Sequence, residues 1–362
     1  MKNKENNIKN LLEKPDKKEC DYDFLGSMLC DTNTTLEPKV WCDYIISYSD
    51  CLAKDKSVDA ATKFLHESFC AFDKTHPRRF LLKLTVIFRL AKSCYNSGDI
   101  ISLKECVQDF LYNSLSVQEA NKVNTKMGFY SFRSFSEYSL NDIANETISV
   151  AHPRMFNDPL DTLLEWWLSC NISKGEENFE KEFSILLRKA CEHIKLRCLI
   201  GDAADGNKNN VEDLPVLMWS HYADSHRGFC VRYEFPDDMF VGFSTSRERI
   251  LKFIHPVKYS DIKMSLSTVP SMEDGVFTKS QEWQYENEMR LLYLNLKNDD
   301  DGKKDYPTIP CKGAIKEIYL GVKCSDSDQQ RMEKAVRNLD VRLYRMQIDN
   351  ENPTKLIKLR IG

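Results

Sequence analysis

The chain has 362 residues, 42% hydrophobic and 29% charged, which is long enough for two folding units and too apolar to be disordered throughout. A formal net charge of −4 excludes a protein whose whole surface is a nucleic-acid footprint. Thirteen cysteines without one C-x-x-C pair argue against a zinc ribbon or a disulfide scaffold and for reduced thiols.

Residues 1–22 are rich in Lys, Asn and Glu and lack the apolar run of a secretory signal, so they read as a flexible tail. Residues 23–120 read as a helical domain. Trp41, Tyr44, Ile45 and Tyr48, and later Leu81, Leu82, Leu84, Ile87, Phe88 and Ala91, recur at helical spacing. Breaks near 54–57, 74–77 and 96–99 divide the region into about four helices, arranged as a bundle or as tetratricopeptide-like hairpins on the turn Ala91–Asp99. The most hydrophobic stretch, Phe80–Ala91, contains Lys83 and Arg89 and is shorter than the ~20 residues a span needs, so a cytoplasmic protein without membrane contact is expected. His66 and His76 stand alone here. The helices therefore suit a protein partner rather than chemistry.

Residues 121–362 alternate short apolar runs with helical ones, the pattern of an α+β domain. Gly128–Arg133 reads as an aromatic strand, Ser134-Phe-Ser-Glu137 as a capping box, and Thr147–Ala151 as the next strand. In Phe156-Asn157-Asp158-Pro159-Leu160-Asp161, Asp158 suits a helix N-cap with Pro159 at the first helical position. The same elbow suits a pocket wall, with Asn157 facing a ligand. Phe183–Ile200 has helical spacing, and 201–213 is a polar loop.

Met218-Trp219-Ser-His221-Tyr222-Ala-Asp224-Ser-His226-Arg-Gly228 reads as a short helix and a Gly-ended turn before a buried strand. His221 and His226 are five apart across that turn, so a hydrogen-bonded polar cluster is expected and no metal. In Trp283-Gln-Tyr285-Glu286-Asn-Glu288-Met289-Arg290-Leu291-Leu-Tyr293, a period of two puts the aromatic and apolar residues on one face and Glu286, Glu288 and Arg290 on the other. This is either an edge strand with solvated charges or the wall of a cleft where a carboxylate stabilises developing positive charge. Ala314–Gly321 reads as a buried strand, Ser325–Asn338 as a helix and Val341–Ile348 as the last strand.

Taken in order, Tyr130-x-Phe132-Arg133-Ser134-Phe135, Phe156-Asn-Asp-Pro-x-Asp161, Trp219-Ser-His-Tyr-Ala-Asp-x-His226-x-Gly-Phe-Cys230 and Trp283-x-Tyr285-Glu286-x-Glu288-x-Arg290 resemble the bacterial domain-of-unknown-function family DUF2971, over roughly residues 129–346. More distantly, the same part resembles ADP-ribosyltransferases, whose split sheet opens with a basic residue on its first strand and carries a catalytic Glu, often within Glu-x-Glu, on a late one. Arg133 resembles the first position and Glu286 and Glu288 the second, while Phe243-Ser-Thr-Ser246 resembles the Ser-Thr-Ser element of the toxin class. The resemblance implies NAD as cosubstrate, Glu288 as the catalytic carboxylate and Glu286 orienting the acceptor. It further implies that Arg133, Tyr130, Asn157, Trp219, His221 and Tyr285 bind NAD, with Arg133 at the pyrophosphate and Tyr285 or Trp219 on a ring. The target would be a protein or nucleic acid, in phage defence or as a toxin.

Two other classes stay open on the residues alone. Asp158, Asp161, Glu286, Glu288 and the histidines would suit Mg²⁺ or Mn²⁺ in a nuclease. Alternatively, both parts serve protein contacts without chemistry.

Overall fold

The computed structural model describes residues 2–14, 17–29, 38–57, 60–61, 63–65, 77–116, 127–158, 161–164, 168, 178–201, 210–236, 239–240, 249–260, 272–297 and 306–361. The chain divides into two compact units, Met1–Asn113 and Ser114–Gly362.

Helices α1 (Lys2–Glu13), α2 (Glu19–Leu29), α3 (Pro38–Asp55), α4 (Pro77–Ser97) and α5 (Ile100–Ser116) build the first part of the chain. Trp41, Ile45, Tyr48 and Leu52 form the buried stripe of α3, at the spacing expected for an amphipathic helix. Two polar tips hold it in register: Trp41 Nε1 donates to the Leu29 carbonyl at 2.8 Å, and the Tyr48 hydroxyl to the Tyr22 carbonyl at 2.7 Å. The N-terminus is not the expected tail. Ile8 of α1 is fully buried, with Leu11 and Leu12 packed beside it, and Tyr22 of α2 is part of the same core. A stripe of three apolar residues suffices for α1 to dock on α3, and the Lys- and Asn-rich composition around it hid that stripe. His66 and His76 lie outside the described residues. Among the described residues no helix is long and apolar enough to cross a membrane.

The second unit is an α+β domain with helices on both faces of a sheet. Its strands are β1 (Phe129–Arg133), β2 (Thr147–Ser149), β3 (Ile194–Gly201), β4 (Phe229–Tyr233), β5 (Ile250–Pro256), β6 (Lys258–Tyr259), β7 (Thr278–Lys279), β8 (Glu288–Asn295), β9 (Thr308–Pro310), β10 (Ile315–Leu320), β11 (Arg342–Ile348) and β12 (Leu356–Arg360). Eight of them form one sheet in the order β12-β11-β10-β4-β1-β3-β8-β5, parallel only between β10 and β11, and two small pairs, β2-β9 and β6-β7, stand beside it. On one face α6 (Glu137–Ala144) and α9 (Asp326–Val336) cover Phe129, Val231, Leu291 and Ile318. On the other, α8 (Val216–Tyr222) covers Tyr130, Phe132, Ile200 and Tyr319.

Three expectations change here. Phe183–Ile200 is not one helix: α7 (Asn178–Cys191) ends two residues before β3, whose Ile-Lys-Leu-Arg-Cys-Leu-Ile run belongs to a strand paired on β8. The cap of α6 is Ser136, which accepts from the Ser139 amide at 3.1 Å while Ser139 Oγ accepts from the Ser136 amide at 2.9 Å. Glu137, displaced from that box, pairs with Arg331. Val341–Ile348 is not the last strand, because β12 follows antiparallel to β11.

The sheet parts between β1 and β3. These strands pair only at Phe129↔Gly201 and Tyr130↔Ile200, after which β1 continues against β4 and β3 against β8. Into the opening comes the chain after β2: Ala151 forms an isolated antiparallel bridge with Leu196, exchanging hydrogen bonds at 2.8 and 2.7 Å. The elbow that follows is thereby set against the open edge of β3.

Candidate active site

A cavity of about 270 Å³ occupies this opening. Tyr130 and Phe132 of β1 and residues 196–200 of β3 form two walls. Met155, Phe156, Asn157 and Asp161 come from the elbow, Met218 and Tyr222 from α8, and Lys279, Glu286 and Glu288 close the polar end. Trp219 does not line it; fully buried, it stands edge-on against Phe132 at 5.0 Å between ring centres and backs that wall.

The polar end is a buried ionic cluster. Lys279 Nζ lies 2.6 Å from Glu286 Oε2, 3.0 Å from Glu288 Oε2 and 3.2 Å from Asp161 Oδ2. Arg290, fully buried, donates through Nε to Glu288 Oε1 at 2.7 Å and through Nη2 to Asp161 Oδ1. The Tyr222 hydroxyl donates to Glu286 Oε1 at 2.7 Å, and the Glu288 amide donates to the Tyr259 hydroxyl at 2.7 Å. The Trp283 ring lies under the Lys279 ammonium, 4.9 Å from it.

Local structure explains the convergence. Gln281–Glu286 is a 3-10 turn, ended by Asn287 in the left-handed conformation at φ 45, so the chain reverses and returns Glu286 to Lys279, seven residues earlier. In β8 the alternation then places Glu288 and Arg290 on the cavity side. Trp283 and Tyr285 precede that strand and do not share its other face, which correctly holds Met289 and Leu291. Because β8 lies between β3 and β5, its charges are interior rather than the solvated charges of an edge.

Burial works against the Glu288 carboxylate, but Arg290 and then Lys279 outweigh it and bring its pKa down to about 2. Burial likewise disfavours the charged forms of Lys279 and Arg290, and the surrounding carboxylates reverse this and raise both. The Cys198 thiol, also on the cavity, is pushed well above 9 by burial and then by Glu288, so it is no nucleophile. Three carboxylates against two cations leave the cluster one negative charge.

Of the residues singled out in the sequence, Tyr130, Asn157, Glu286 and Glu288 line the cavity. Arg133 does not. Alternation along β1 turns it to the face opposite Tyr130 and Phe132, where it binds Asp142 at 2.7 Å under α6. His221 lies outside the lining, its ring 6.1 Å from those of Tyr222 and Trp283. Tyr285 packs against the apolar residues behind the wall, 6.1 Å from Trp283. Lys279, Tyr222 and Arg197 were missed: Lys279 lies four residues before the motif that opens at Trp283, and its partners depend on the reversal at Asn287.

The His221–His226 stretch is a tightly folded turn. Asp224, Ser225 and His226 have φ of 47, 53 and 69, Asp224 binds Arg227, and His226 Nε2 meets Ser220 Oγ at 3.1 Å while its ring stacks on Trp219. Gly228 is required there, since a Cβ would stand 2.2 Å from the Arg133 carbonyl oxygen. Among the described residues no three of His, Cys, Asp and Glu are grouped to hold a metal ion, and Asp161, Glu286 and Glu288 each already accept from Lys279 or Arg290. Phe243–Ser246, residues 202–209 and Pro159 lie outside the described residues.

Residues 218–291 match the model of a family described as a protein of unknown function (DUF2971). The match runs from Met218 on the cavity wall through Glu286 and Glu288 to Leu291, and is narrower than the 129–346 over which the motifs resemble that family. No curated protein and no solved structure matches the chain.

Proposed function

We propose that the cavity in the parted sheet is the site of an ADP-ribosyltransferase-like enzyme that cleaves NAD at the nicotinamide–ribose bond and passes ADP-ribose to a macromolecular target. The observation that carries this reading is Glu288: a carboxylate held ionised, buried at the polar end of a cavity whose other walls include Tyr130, Phe132, Phe156 and Met218. When the C1′–N bond breaks, its electron pair goes to the pyridinium nitrogen and C1′ gains positive character. A fixed anion beside that carbon stabilises the change more than it stabilises the ground state. The remaining negative charge of the cluster also suits the cationic nicotinamide ring, which Tyr130 or Phe156 would stack against. Glu286, anchored by Tyr222 and Lys279, stands beside Glu288 to orient the acceptor.

The cavity is small for a whole dinucleotide, ligand sites usually running from about 300 Å³ upward. The reading therefore places the nicotinamide and its ribose inside and the rest of NAD toward the opening. Arg133 is not part of the cavity lining, and its Nη2 is engaged with Asp142. Incubation with NAD labelled in its adenylate half tests the transfer step: label should move to a macromolecule in a cell extract with wild-type protein and not with Glu288→Gln. Equal labelling by both would refute the assignment.

A further inference from the structure

Behind the cavity the parted sheet holds positive charge that nothing in the proposed chemistry uses. Arg197 of β3 reaches across the opening to β1, where its Nε and Nη2 both donate to Ser131 Oγ, at 3.1 and 2.6 Å. Among the described residues no carboxylate lies within ion-pair distance of it, and its Nη1 has no acceptor. Arg197 keeps accessible area and is among the β3 residues that line the cavity at the parting of the sheet.

Two more donors wait nearby. Arg133, two residues along β1 from Ser131 and on the same face, gives Nη2 to Asp142 and keeps Nη1 buried without an acceptor. Tyr233, paired with Phe129 on the neighbouring strand, has a buried hydroxyl without any partner. Asp142 is fully occupied: it accepts from Arg133, from Thr147 Oγ1, and from both the amide and the hydroxyl of Ser149. Orphaned buried polar groups are rare, and two of them beside an unpaired guanidinium mean that an acceptor belongs there. Burial, and next the neighbouring Arg133, lower the Arg197 pKa only to about 10, so the guanidinium stays charged at neutral pH.

We propose that Arg197, supported by Arg133 Nη1 and the Tyr233 hydroxyl, is an oxyanion site at the parting of the sheet, and that it takes a phosphate group of the ligand that fills the cavity. A guanidinium fork with a phenol donor beside it matches the tetrahedral oxygens of a phosphate. The inference needs only an oxyanion and stands without the NAD reading. Joined to it, the cavity becomes bipolar, with Glu288 at the cationic end of the ligand and Arg197 at the anionic end.

Calorimetric titration of the full chain with pyrophosphate and with ADP-ribose, at constant ionic strength, tests the site. Wild type should bind both saturably, ADP-ribose more tightly if the phosphate comes from a nucleotide and equally if a free anion is the occupant. Arg197→Met should weaken binding at least tenfold, while its ligand-free melting temperature stays at or above that of wild type, because an uncompensated buried charge has been removed. A merely structural arginine would show the opposite: a lower melting temperature and unchanged binding. If Arg197→Met does not fold, Arg197→Lys decides, with at least threefold weaker binding expected for lack of the fork. Absence of saturable binding by wild type, or equal affinity in wild type and the folded variant, overturns the proposal. Pyrophosphate binding without nicotinamide release would refute the NAD reading alone.

Discussion

Glu288→Gln keeps the shape of the side chain and removes its charge, which isolates what holds the ionic cluster together. Arg290 then retains Asp161, and Lys279 retains Asp161 and Glu286, so no cation is left wholly unpaired. The ordinary carboxyl pKa of 4.5 falls to about 2 at Glu288 in the folded chain. The gap corresponds to about 3 kcal/mol of stability, present above the unfolded-state pKa and lost as pH falls toward the folded-state one. With only 3% of Glu288 exposed, solvent screening reduces this little. Urea unfolding of wild type and variant should therefore differ by about 3 kcal/mol at pH 7 and by about half of that at pH 3. A difference under about 1 kcal/mol at pH 7, or one that does not shrink with acid, would refute the reasoning that Arg290 and Lys279 hold this carboxylate ionised.

Other substitutions check the surrounding structure. Lys279→Met leaves Asp161 and Glu288 with Arg290 as their cation and Glu286 with the Tyr222 hydroxyl alone, and urea unfolding should show a loss of about 3–5 kcal/mol at neutral pH. Trp219→Ala empties a fully buried site behind Phe132, so denaturation should report about 3–5 kcal/mol lost and, through the slackened wall, weaker ligand binding in the cavity. Gly228→Ala forces a Cβ against the Arg133 carbonyl oxygen and should lower stability by about 3 kcal/mol or more, read as a drop in melting temperature.

Several parts of this fold were legible from periodicity. The alternation of β8 separated Glu288 and Arg290 from Met289 and Leu291, and the elbow with Asn157 and Asp161 was recognisable as a pocket wall. Other parts were not. Phe183–Ile200 carries apolar residues at spacings that satisfy a helix, and only the sheet partner β8 decides that Ile194–Ile200 is a strand, so Arg197 and Cys198 stayed hidden. Arg133 shows the reverse case. The period of two along Tyr130-Ser-Phe132-Arg133 already separates Arg133 from both aromatic residues, whereas the resemblance to ADP-ribosyltransferases implies a place beside them. The partnership of Arg290 with Asp161, 129 positions away, had no local signal at all.

The central claim is that Glu288 stabilises charge developing on the sugar carbon of NAD. Chromatographic measurement of nicotinamide released from NAD by the full chain at pH 7, with wild type and a Glu288→Gln variant shown by melting to be folded, tests it most directly. Release by wild type, reduced about a hundredfold or more in the variant, is the expected result, since removing one preorganised electrostatic contact commonly has that effect. Equal release by the two proteins, or none from wild type, would contradict the account.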